Sequence, residues 1–141
     1  MTCRKTAMDY LARREHSRLE LSRKLGAKGF SETEISSTLD QLELDRLLND
    51  ARFAEAYARS RVNRGFGPVR IRQELQERGV TTEMIDRVLD AWSGEWSGLA
   101  AMQQQKKFKK MAKDFTERSK QARFLQYRGF TAEQIWRILG D

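Results

Sequence analysis

Two stretches of this chain concentrate cations with little acid among them, a pattern suited to ionic contact rather than covalent chemistry. From Ala56 to Gln73 there are five arginines (Arg59, Arg61, Arg64, Arg70, Arg72) and no acid. From Lys106 to Arg128 nine basic residues face only Asp114 and Glu117, a surplus of seven that equals the formal net charge of +7. A merely solubilising face would intersperse the two signs, so the blocks are read as a surface for phosphates or carboxylates. A sequence pI of about 9.9 points the same way, toward nucleic acid or an acidic protein surface. Phe108, Phe115, Phe124 and Tyr127 interleave with the second block. Rings at such spacing are read as core, with stacking on single-stranded bases as the other reading.

Catalytic chemistry finds little to work with. His16 is the only histidine and Cys3 the only cysteine, which is too few for a His/Cys metal site and excludes an internal disulfide. His16 is read as a surface histidine. Glu74 and Glu77 are read as helix-surface carboxylates that pair along their own helix. No GxxxxGK[ST] loop occurs, and Gly65-Phe66-Gly67 is too short for a dinucleotide fingerprint. No catalytic residue, cofactor or metal is expected. Nothing near Met1 resembles the apolar run of a signal peptide, and no stretch approaches the roughly 20 apolar residues of a membrane span. The expectation is a soluble, cytoplasmic protein with no membrane partner.

The elements that position these cations repeat. Gly29, Gly79 and Gly129 lie 50 residues apart, with Ile35, Ile85 and Ile135 and Leu39, Leu89 and Leu139 in the same register. A period near 50 in 141 residues describes one supersecondary unit used three times. Each glycine should close a helix in the left-handed conformation. Ser31, Thr81 and Thr131 should cap the next helix, and Ser31-Glu34 and Thr131-Gln134 have the spacing of capping boxes. Met84 leaves the middle cap without that partner. Phe30 with Ile35, Val80 with Ile85 and Phe130 with Ile135 have the spacing of hydrophobic staples.

A leading helix precedes each pair. Its apolar face is read as Ala7, Met8 and Leu11 in the first repeat and Phe53, Ala54, Tyr57 and Ala58 in the second. In the third, Leu99, Met102, Phe108, Met111 and Ala112 form a looser stripe. The first leading helix is read as short. Pro68, the only proline, suits a first helical turn. Ser93 to Gly98 is read as the most flexible joint, and Leu47 and Leu48 as packing residues between repeats one and two. The fold class is therefore all-α: three tandem three-helix repeats over residues 1–45, 46–93 and 94–141.

A helix, a glycine turn and a capped helix also describe DNA-binding helix-turn-helix motifs. Asp40, Asp86 and Asp90 on the third helices argue against major-groove reading by at least two of them.

The segment Leu47-Leu48-Asn49-Asp50-Ala51-Arg52-Phe53-Ala54, then Tyr57 and Arg61, then Gly65-Phe66-Gly67-Pro68-Val69-Arg70-Ile71, Glu74-Leu75 and Gly79-Val80 resembles the core signature of RecX proteins. Arg13-Arg14-Glu15-His16-Ser17 with Glu20-Leu21 and Leu25, and Arg123 to Phe130, extend the resemblance over nearly the whole chain. It implies tandem three-helix repeats in an elongated, curved molecule. The implied role, in DNA repair, homologous recombination and the SOS response, is to modulate the RecA recombinase, mainly by inhibition. RecX proteins are implied to bind along the RecA–DNA filament and oppose its extension, ATP hydrolysis and strand exchange. Single- or double-stranded DNA is a second implied partner, and a monomer is expected. Carried onto this chain, the partner surface falls on Arg52, Arg59, Arg61, Arg64, Arg70 and Arg72, and on Lys106, Lys107, Lys109, Lys110, Arg123 and Arg128. The competing readings are a helix-turn-helix DNA binder acting without RecA and an RNA-binding adaptor.

Overall fold

A single proline and short polar connectors leave this sequence few alternatives to helix. The computed structural model describes residues 1–140, and among them it has nine helices and no strand. Asp141, the last residue of the third expected repeat, lies outside the described residues. The helices are α1 (Cys3–Arg13), α2 (Arg18–Ala27), α3 (Glu32–Leu44), α4 (Asp50–Asn63), α5 (Pro68–Glu77), α6 (Thr82–Asp90), α7 (Trp96–Phe108), α8 (Phe115–Arg128) and α9 (Ala132–Leu139). That is three per repeat, as the period predicts. The first leading helix is the shortest, with 11 residues against 14 in α4 and 13 in α7, and Thr2 caps it.

The second helix of every repeat ends in the same way. Gly29, Gly79 and Gly129 have φ of 96°, 80° and 102°, where a Cβ would be strained. The next N–H then reaches back five residues: Phe30 to the Leu25 carbonyl at 3.3 Å, Val80 to Leu75 at 3.1 Å and Phe130 to Leu125 at 3.2 Å. Ser31, Thr81 and Thr131 each accept from the N–H three residues on. The Thr131–Gln134 box is complete in both directions. The Ser31–Glu34 box is not: only the hydroxyl half forms, and Glu34 makes no return bond among the described residues. A complete box occurs instead at Ser17–Glu20, at the start of α2.

By packing, the described residues form two compact units, Met1–Tyr57 with Leu75–Ile85, and Ala58–Glu74 with the chain from Asp86 onward. The divisions fall inside α4, α5 and α6, so the middle repeat is shared. In the first unit α1, α2 and α3 pack on one another around Leu21, Leu25, Ile35, Leu39, Leu42 and Leu48. Asp50 of α4 accepts the otherwise orphaned Arg18 N–H at 2.7 Å, at the start of α2. In the second unit α7, α8 and α9 pack on one another, with Trp96, Ala100, Leu125, Phe130, Ile135 and Leu139 buried.

Two leading-helix faces differ from the sequence reading. On α1 the buried residues are Cys3, Thr6 and Ala7, while Met8 is exposed and Leu11 half-buried. On α7 they are Trp96, Ala100 and Gln104, with Met102 exposed and Met111 beyond the helix end. A polar pair displaced the apolar stripe there: Gln104 Nε2 donates to Gln121 Oε1 at 3.0 Å and to the Lys110 carbonyl at 2.8 Å. Both glutamines are buried and bonded, so the burial is tolerated. The segment 93–98 is likewise no open joint. Ser93 and Glu95 N–H groups bond the Asp90 and Trp92 carbonyls at 2.9 Å, and buried Trp96 lies 6.2 Å from Trp92. Of the two leucines between repeats one and two, Leu48 is buried and Leu47 exposed.

Two backbone bonds tie the start of α5 to the turn after α8. Gly67 N–H donates to the Arg128 carbonyl at 2.8 Å and Val69 N–H to the Gly129 carbonyl at 2.9 Å. A Cβ on Gly129 would sit 2.4 Å from Arg70 Cβ, and one on Gly67 would sit 2.6 Å from the Gly129 carbonyl carbon. A Cβ on Gly79 would meet Leu19 Cβ at 2.9 Å, whereas Gly29 has open space. Gly29→Ala should therefore cost only the left-handed strain, about 1 kcal/mol. Gly129→Ala should add a clash and cost about 3 kcal/mol or more. Urea denaturation followed by circular dichroism separates the two.

Candidate partner-binding surface

Local folding decides which cations remain available. In the second unit the loop Gly65-Phe66-Gly67 places the Phe66 ring among three arginines. The Arg61, Arg70 and Arg128 guanidinium carbons lie 4.0, 4.2 and 5.0 Å from its centroid. Arg61 Nε and Nη2 donate to the two Glu74 oxygens at 2.8 and 2.9 Å, and Arg70 Nε reaches the same carboxylate at 3.4 Å. Arg61 and Glu74 side chains are each 17% exposed, so this is a half-buried fork rather than a surface pair. Glu74 does pair along its own helix, with Arg70, but the structure corrects its reading as a surface carboxylate: it is mostly buried and faces Arg61 of another helix. It also stands one residue past the acid-free window, where counting could not see it.

Arg128 has a different setting. Its guanidinium lies 5.0 Å from Phe66 and 5.3 Å from Phe124, and Nη1 donates to the Arg64 carbonyl at 3.2 Å. No carboxylate pairs with it among the described residues. Lys107 Nζ lies 5.8 Å from Phe124, which meets Phe108 edge-on at 5.5 Å. Arg70 lies 5.3 Å from the ring of Tyr127, a residue that is 74% exposed. The structure therefore splits the four aromatics of the second block. Phe108 and Phe124 are half-buried and packed on each other, while Phe115 and Tyr127 face outward.

The twelve cations expected at a partner surface do not all come together. Arg61, Arg64, Arg70 and Arg128 gather at the Phe66 loop, with Lys107 joined to them through Phe124. Arg72 pairs with Asp86 at 2.6 Å. Arg52 belongs to the first unit, where it pairs with Glu15 and donates to the Arg46 and Leu47 carbonyls. Arg59, Lys106, Lys109, Lys110 and Arg123 are exposed and have no acid partner among the described residues. Lys106 and Lys107 occupy the last turn of α7, where positive charge favours the helix end.

His16 is not the surface residue its polar neighbours suggest. It is buried, with its ring 5.8 Å from Tyr10. Lys24 Nζ, which can only donate, lies 2.8 Å from Nε2, so Nδ1 carries the proton and donates to the Arg14 carbonyl at 3.1 Å. Burial, joined by the Arg14 and Lys24 cations, lowers its pKa from the ordinary value despite that carbonyl bond. The missed signal was the register: position 16 in repeat one is Phe66 in repeat two, an aromatic that packs half-buried. No group of three or more histidine, cysteine or carboxylate side chains able to hold a metal occurs among the described residues. No described helix is long and apolar enough to cross a membrane.

Three family models match in order: RecX, first three-helix domain, over residues 3–42; second, over 49–89; third, over 99–139. The chain is 44% identical over 137 residues to the regulatory protein RecX of Pseudomonas entomophila strain L48, covering 96% of this chain and 88% of that protein. It is 44% identical over 133 residues to that of Halorhodospira halophila strain DSM 244 / SL1, covering 94% and 83%. The crystal structure of RecX from Lactobacillus salivarius shares the fold, with a TM-score of 0.82 at 22% identity over 96% of this chain and 91% of that one.

Two outcomes follow from the buried groups. Unfolded, His16 binds a proton near pH 6.5, and folded only below that, so the unfolded state holds more protons between the two values. Stability should be full above about pH 6.5 and fall as pH drops through it, and His16→Phe should flatten that decline in thermal melts. Glu74→Gln strands two arginines and should cost about 2 kcal/mol. Glu133→Gln, which breaks an exposed pair with Arg137, should cost under about 0.5 kcal/mol by the same melts.

Proposed function

The chain belongs to the RecX family of regulatory proteins, and from that premise we propose that it binds the RecA–DNA filament and opposes filament extension, ATP hydrolysis and strand exchange. The observation that carries this reading is the cationic surface of the second unit. Arg59, Arg64, Lys106, Lys107, Lys109, Lys110 and Arg123 lie on the outside without acid partners, and Arg128 stands between two rings without one. Desolvating such groups against acidic partner surface or enclosed phosphate is favourable where desolvating satisfied ion pairs is not. The cations already held by carboxylates, Arg52, Arg61, Arg70 and Arg72, are the less available members of the expected set.

The protein acts by binding rather than by catalysis. Three repeats over 1–45, 46–93 and 94–141 can contact successive protomers of a helical filament, and a monomer suffices for that. An inhibitor lodged on a filament opposes protomer motion and polymer growth without chemistry of its own. Its place of work is the cytoplasm, where such filaments form, in recombination and the SOS response.

The test is ATP hydrolysis by RecA on single-stranded DNA while this protein is titrated in. Inhibition is expected at well below one molecule per RecA protomer. Reversing Lys106, Lys107, Lys109 and Lys110 to Glu should raise the amount needed several-fold at low salt, with the gap closing as salt is added. Undiminished hydrolysis at excess wild-type protein would overturn the reading. Identical titrations by wild type and variant would move the contact surface off that block.

A further inference from the structure

We propose that Tyr127 is a base-stacking platform, and that with Arg123 and Arg128 it makes the second unit a binding surface for single-stranded nucleic acid in preference to duplex. This deepens the partner-surface reading above and rests on it for the identity of the surface.

Tyr127 lies in the last turn of α8, two residues before the Gly129 turn, and the residue is 74% exposed. The fold does not require a ring there: the equivalent positions in the first two repeats are Ala27 and Glu77. Nor is it idle core, since Phe108 and Phe124 already fill the interior side of the same cluster. One guanidinium lies against the ring and two more arginines stand nearby on α8. Arg70 lies 5.3 Å from its centroid, Arg123 stands one helical turn earlier on α8, and Arg128 follows it directly in the chain. Arg128 in turn holds the Arg64 carbonyl and shares Phe124 with Lys107. Among the described residues the carboxylate at this cluster, Glu74, is engaged by Arg61 and Arg70.

The combination selects the ligand class. An acidic peptide would use the guanidinium groups and leave an exposed aromatic face unused. A duplex offers phosphates but keeps its base faces stacked inside. A single strand supplies both a phosphate backbone for the cations and an open π-face for the ring. Stacking on a face common to all bases also predicts tolerance of sequence.

Fluorescence anisotropy with a labelled oligothymidylate, and with a duplex of the same length, tests this on the full chain. The wild type should prefer the single strand. Tyr127→Ala should weaken single-strand binding roughly tenfold, with the salt slope and duplex binding unchanged, and Tyr127→Phe should restore it. Arg123→Glu should instead make the salt dependence shallower. Circular dichroism checks that each variant is folded. Equal binding by Tyr127→Ala and wild type overturns the proposal, as does duplex binding at least as tight as single-strand binding, or competition by polyglutamate as effective as that by the oligonucleotide. Inhibition of RecA hydrolysis is read separately on the same wild-type protein. Inhibition without strand binding sinks this inference alone, and strand binding without inhibition sinks only the filament reading.

Discussion

At the Gly67–Gly129 contact two stretches of backbone lie so close that neither glycine admits a Cβ, and the organisation of the second unit follows from it. Three short helices cannot bury an apolar face alone, so each repeat must lean on its neighbour. Here the turn of a later repeat seats on the start of the preceding repeat's second helix. Gly129 meets Arg70 in the second unit, and Gly79 meets Leu19 in the first. The middle repeat therefore gives its turn to one unit and its Gly67–Glu74 stretch to the other. A division by packing cuts through its helices for that reason. Gly29 has no such neighbour, and it alone of the three turn glycines faces open space.

Matching positions across the repeats show how one seat accepts different chemistry. The Arg18 N–H needs an acceptor, and Asp50 supplies it. Fifty residues on, Pro68 has no N–H to satisfy and Ala100 stands where Asp50 would. The loss of a donor and the loss of its acceptor go together, as the cost of an unmatched buried polar group requires. His16 with Lys24 becomes Phe66 with Glu74 in the same way. In the first case a neutral imidazole accepts from an ammonium, and in the second a ring lies under arginines that a carboxylate holds. Both place an aromatic ring at the same position, and charge sign is free to change around it.

The backbone of this design was legible in the sequence because glycine and the hydroxyl caps act locally. The left-handed turns at Gly29, Gly79 and Gly129 and the caps at Ser31, Thr81 and Thr131 need only their own few residues. Failures occurred where a side chain answers to another helix. Glu74 reads as a surface carboxylate until α4 brings Arg61 across to it. Gln104 lies outside the apolar stripe read for α7, yet it is buried because Gln121 of α8 satisfies it inside. His16 lies in a charged stretch, yet Lys24 and Tyr10 enclose it. The aromatics of the second block share one spacing but divide between interior and exterior, since helical period sets a face and not what covers it.

Charge counting along the chain overstated the first cationic block but not the second. Three of the five arginines from Arg59 to Arg72 are met by Glu74 or Asp86. The lysines at the end of α7 and Arg123 on α8 have no such partner among the described residues. An arginine already bonded to a carboxylate must break that pair before it can serve another anion, whereas an unpaired cation gives up only hydration. Arg128 goes further: with aromatic rings on two sides it keeps its charge while its hydration is already reduced. The cations best placed to bind are thus those the fold has left unneutralised, and of these Arg128 and Lys107 lie against the Phe66 and Phe124 rings of the second unit.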